Sequence, residues 1–145
     1  MRRLLVLTAM GLIMSLVPVT AASAHGTCSA NALEPVMSGF LPAHAYGSGT
    51  YNCSDGHAKI WIKVELLSQD LISGWHVIAS ATNTKLQARN ISATADYRCI
   101  PNPGPPIGSY FKTRVTGKAY NASGALVSEH TKTDTSGLEF FLDCL

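Results

Sequence analysis

Charge is scarce in this chain: 11 Lys and Arg and 9 Asp and Glu are spread over 145 residues. No basic run or stripe exists, so the electrostatic footprint of a nucleic-acid binder is missing and an anionic membrane surface has little to hold. CxxC and HxxxH spacings are absent, which argues against structural zinc. GxSxG, HExxH and glycine-rich phosphate loops are absent too, so no catalytic constellation is visible and a non-catalytic role is expected. Beyond the first 24 residues no stretch sustains a helical period, which points away from helices.

What is present begins with Arg2 and Arg3, an apolar run from Leu4 to Val19, and Ala22-Ser23-Ala24. This reads as a cleaved secretory signal peptide over 1-24; the apolar run is too short for a membrane span. A single domain over 25-145 is expected to remain, 121 residues long enough to bury a core. Removing Arg2 and Arg3 leaves 9 basic against 9 acidic residues. The expected protein is neutral, secreted and extracellular, with no anchor, no membrane or nucleic-acid partner, and an extracellular protein or polysaccharide as its target.

Cys28, Cys53, Cys99 and Cys144 are separated by 25, 46 and 45 residues. An even number of cysteines in an exported chain predicts two disulfides, and four cysteines allow three pairings. Cys28 with Cys53 and Cys99 with Cys144 is preferred, because it ties the poorly patterned N-terminal segment to the next strand and the last strand to the segment ending at Cys99.

Short apolar-alternating segments broken by Gly, Pro and Asn predict an all-β domain. Thr50 to Ser54 and His57 to Leu66 read as a hairpin turning at Asp55-Gly56. Its inward face would hold Tyr51, Cys53, Ala58, Ile60, Ile62, Val64 and Leu66, with Lys59, Trp61, Lys63 and Glu65 outward. Further strands are expected over Trp75 to Ala81 and over Ile91 to Cys99, the latter with Ile91, Ala93, Ala95, Tyr97 and Cys99 inward. Ser109 to Tyr120 should bury Phe111, Val115 and Ala119. Asn121 to Gly124 should turn it into Ala125 to Thr131, and a last strand should span Leu138 to Leu145. The segment His25 to Gly49 is least legible, with an edge strand around Val36 to Leu41. Ile100 to Gly108 holds four of the seven prolines and must be a loop. About seven short antiparallel strands, each with one apolar face, are most economically hidden in a two-sheet sandwich. Asp96-Tyr97-Arg98-Cys99 resembles the Tyr-x-Cys of the immunoglobulin tyrosine corner. That resemblance implies an immunoglobulin-like sandwich and, on the same analogy, a Cys53–Cys99 bridge.

Three sites of interaction suggest themselves. Trp61, Tyr110 and Tyr120 lie outward among Lys59, Lys63, Lys112, Arg114 and Lys118, and exposed rings beside hydrogen-bonding side chains suit the apolar face of a sugar. Cleavage after Ala24 would make His25 the terminal residue, whose amine and ring can chelate copper together. The Ala-Ser-Ala-His-Gly junction is similar to that of lytic polysaccharide monooxygenases and periplasmic copper carriers, which implies a copper cofactor at His25 with a second histidine. Finally, the proline-rich segment would suit the binding loop of a secreted inhibitor or toxin, since proline lowers the entropy lost on binding. His57 and His76 read as partly exposed strand residues.

Overall fold

The computed structural model describes residues 26–38, 42–70, 74–100, 108–134, 139–142 and 144. Residues 1–24, His25 and the proline-rich segment 101–107 lie outside the described residues, and with them the signal-peptide, copper and inhibitor-loop expectations. The protein is all-β, with no helix among the described residues. Its strands are β1 (Cys28–Ala32), β2 (Val36–Met37), β3 (His44–Asp70), β4 (Gly74–Arg98), β5 (Gly108–Tyr120), β6 (Leu126–Thr133) and β7 (Glu139–Leu142).

The expected hairpin at Asp55-Gly56 does not form. The chain instead runs through these residues as one strand of 27 residues, β3, which pairs along almost its whole length with the 25-residue β4. Strands of globular proteins usually run 3–10 residues. The two expected strands 75–81 and 91–99 are the two ends of β4. An Asp-Gly pair is a local turn signal, whereas a continuous β3–β4 ladder satisfies the backbone groups of both strands over twenty-odd residues. With no proline between residues 43 and 98, no residue lacks the amide that the ladder needs. Asp55-Gly56 becomes a bulge: the register shifts between Asn52 and His57, and Ser54, Asp55 and Gly56 are pushed outward between buried Cys53 and buried His57.

The seven strands among the described residues belong to one sheet. On the edge of β3 opposite β4, β2 pairs at Ala45–Tyr46, β1 at Gly49–Cys53, and β5 from Lys59 onward. β5 in turn pairs with β6 and β7. The sheet curls so that the N-terminal half of β3 lies over its own C-terminal half and over β5. Glycines permit that approach: a β-carbon on Gly49 would meet Val115 at 2.2 Å, and one on Gly47 would crowd Thr113 and Leu66. The core between the two halves contains Tyr51, Ile60, Ile62, Val64, Leu66, Ile91, Ala95, Phe111, Val115 and Ala119. The expected inward positions are thus buried, apart from half-buried Ala58, Ala93 and Tyr97.

The disulfides are Cys28–Cys53 and Cys99–Cys144. The first joins register partners on β1 and β3, and it replaces the Cys53–Cys99 pairing implied by the tyrosine corner. The turn at 121–124 forms as expected: Asn121 Oδ1 accepts hydrogen bonds from the Ser123 and Ala125 amides at 3.1 and 2.9 Å.

Candidate functional site

The outward side of the C-terminal half of β3, flanked by β4 and β5, is an ordered grid. Strand register sets Leu86, Lys59 and Tyr120 in one row, then Thr84, Trp61, Lys118 and Glu129, then Thr82, Lys63, Thr116 and Thr131, then Ser80, Glu65, Arg114 and Thr133. Each row arises because odd residues of β3 from Lys59 to Glu65 and even residues of β5 from Arg114 to Tyr120 point away from the core.

Charges on this grid are locally paired. Glu65, only 7% exposed, receives hydrogen bonds from Arg114 Nε at 2.7 Å and from Lys63 Nζ at 2.6 Å. Burial pushes the pKa of its carboxyl up, but hydrogen bonds from Arg114 and Lys63 and their positive charges outweigh burial and hold it below the ordinary value. Lys118 pairs with Glu129 at 3.1 Å. Aromatic rings also attract cations: Lys59 Nζ lies 4.1 Å from the centre of the Tyr120 ring, Lys118 Nζ, besides its pairing with Glu129, 5.7 Å from that of Trp61, and Lys112 Nζ 3.9 Å from that of Trp75.

At the end of the grid nearest the bulge, Lys59, Trp61, Thr84, Lys118 and Tyr120 enclose an open groove of about 200 Å³. Of the three aromatics expected to bind a sugar, the fold brings Trp61 and Tyr120 together. Tyr110 sits opposite Gln69, ten positions along β5 from Tyr120, or roughly 33 Å at the usual strand rise. Thr84 was not foreseeable as a groove residue, since only the β3–β4 register places it beside Trp61.

His57 departs from expectation. It is 6% exposed rather than partly exposed, and its Nε2 lies 3.5 Å from Cys28 Sγ. A histidine between a turn signal and an apolar strand carries no mark of this proximity, which the bulge creates. His44 is also constrained, with Nδ1 2.6 Å from Asp96 Oδ1 and its ring stacked on Tyr46. That pair is solvent-exposed and orients a surface ring. No protein-family model, curated protein or solved structure matches this chain.

Proposed function

We propose that this is a secreted, non-catalytic binding protein whose curled sheet serves as an immunoglobulin-like sandwich and takes a cell-surface polysaccharide in the groove around Trp61 and Tyr120. The single observation that carries this reading is the pairing of these two rings with Lys59, Lys118 and Thr84 in one concavity. An aromatic ring offers the apolar face of a pyranose a flat partner, and the flanking ammonium and hydroxyl groups are donors for its hydroxyls. Because Lys59 and Lys118 are cationic, a polymer bearing carboxylates, such as peptidoglycan, fits better than cellulose. Two disulfides accord with an oxidising compartment, and residues 1-24 supply the export signal in this reading.

Pull-down on peptidoglycan, chitin and cellulose tests it. Peptidoglycan should retain the protein most strongly. Trp61→Ala or Tyr120→Ala should weaken retention about tenfold, equivalent to about 1.4 kcal/mol, while Tyr110→Ala should leave it unchanged. Failure to bind any of the three polymers, or equal retention of the Trp61 variant, overturns the reading.

A further inference from the structure

A second place in the molecule combines chemistry that the groove does not use. The ligand atoms of Cys28, Cys53 and His57 all lie within 4.8 Å of one another, and all three residues are buried. His57 Nε2 stands 3.5 Å from Cys28 Sγ. Metal–sulfur and metal–nitrogen bonds of about 2.3 and 2.0 Å, meeting at a tetrahedral or trigonal angle, put their donor atoms roughly 3.5–3.7 Å apart. The histidine is therefore held at the spacing of a shared ligand shell.

Two features show how the backbone achieves this. The bulge between Asn52 and His57 turns the imidazole inward toward β1, and bulges commonly re-aim a side chain in this way. Across the ladder, Gln87 has a φ of 48°, in the left-handed region that few non-glycine residues adopt. The surface opens beside the imidazole: Gly56, His57, Ala58 and Gln87 line a shallow concavity of about 320 Å³.

We propose that reduction of the Cys28–Cys53 disulfide exposes a three-coordinate site for Cu(I), with two thiolates and the His57 imidazole as ligands. A dithiol or phosphine reductant supplies two electrons, two protons are taken up, and the sulfur–sulfur bond becomes two thiols. Cu(I) then displaces both thiol protons and accepts the Nε2 lone pair. Two soft thiolates and one imidazole in a buried pocket favour Cu(I), whereas structural zinc takes four ligands. In the oxidised protein the same sulfurs are bonded to each other, so the site is gated by redox state.

The test titrates Cu(I), kept reduced with ascorbate, into the phosphine-reduced protein against a competing Cu(I) chelator, with X-ray absorption to count sulfur and nitrogen scatterers. One Cu(I) per chain with two sulfurs and one nitrogen is expected. His57→Ala should remove the nitrogen and weaken binding at least tenfold. Cys99→Ser/Cys144→Ser and His25→Ala should bind as the parent does, and the oxidised parent should not take up the ion at this site. Equal affinity in His57→Ala, a bound ion that survives when Cys28→Ser/Cys53→Ser is added to the Cys99→Ser/Cys144→Ser variant, or loss of binding in His25→Ala overturns the proposal. Circular dichroism of the reduced His57→Ala variant against the reduced parent separates loss of the ligand from loss of the fold.

Discussion

Gly117 faces the ring of Tyr51 so closely that a β-carbon on the glycine would lie 2.1 Å from Cδ2 and 2.2 Å from Cγ. Tyr51 belongs to the N-terminal half of β3, while Gly117 pairs with Ile62 in the C-terminal half, so this contact is where the strand closes over itself. The Tyr51 hydroxyl continues across to Ser128 Oγ on β6 at 3.1 Å. Gly117→Ala should therefore destabilise the protein by about 1–3 kcal/mol, the usual cost of overpacking, measured by urea unfolding. In a double-mutant cycle Tyr51→Ala should absorb most of that cost, since it removes the atoms the new methyl would strike. Additive effects of the two changes would mean that the halves do not meet here.

Thr113 is fully buried near Gly47, and its Oγ1 has no hydrogen-bond partner. A buried hydroxyl without a partner costs about 1–3 kcal/mol. Valine has nearly the same shape and no polar atom to desolvate. Thr113→Val should raise stability by on the order of 1 kcal/mol, visible as a higher denaturation midpoint at an unchanged slope. A loss of stability would show that the hydroxyl has a partner in solution.

Glu65 supplies the pH dependence. Its carboxyl is pushed up by burial but held below the ordinary 4.5 by Arg114 and Lys63, so the folded state binds this proton less readily than the unfolded state. The sign follows from linkage: the contribution to stability is fully present above the ordinary value and is lost as pH falls through the lowered folded value. Arg114→Met should cost about 1–3 kcal/mol at pH 7, because it strips a charged hydrogen bond from a nearly buried carboxylate. Its deficit relative to the parent should shrink as pH falls below 4.5. A deficit that does not vary with pH would assign the effect to lost packing of the arginine stem.

The faces of the strands were legible because period-two alternation survives whatever a strand pairs with. Ile60, Ile62, Val64 and Leu66 on β3, and Phe111, Val115 and Ala119 on β5, are buried as their spacing demands. The disulfide pairing was preferred because it ties the poorly patterned N-terminal segment down, and the structure forms it, with Cys28 and Cys53 opposite each other on β1 and β3. Connectivity was not legible. Asp55-Gly56 has the same local preference in a hairpin and in a bulge, and the choice is made by β4, whose partner residues lie more than thirty positions later for much of the ladder. That error concealed both candidate sites. The β3–β4 register is what sets Thr84 beside Trp61, and the bulge is what turns His57 onto Cys28.

Gln87 then offers a test of the bulge itself. It is the non-glycine residue with positive φ among those described, at 48°, and it lies beside His57 across the β3–β4 ladder. The left-handed conformation costs an L-residue roughly 1–2 kcal/mol, whereas glycine adopts it freely but loses about 0.5–1 kcal/mol of chain entropy on folding. The first term exceeds the second, so Gln87→Gly should be stabilising by a few tenths to about 1 kcal/mol. A β-branched residue cannot enter that region without strain, so Gln87→Val should be destabilising by more than 1 kcal/mol, an estimate from the same left-handed cost. Thermal unfolding of the two variants should therefore shift in opposite directions from the parent. If both lie on the same side of it, β4 does not hold residue 87 in this conformation, and the backbone opposite His57 takes another path.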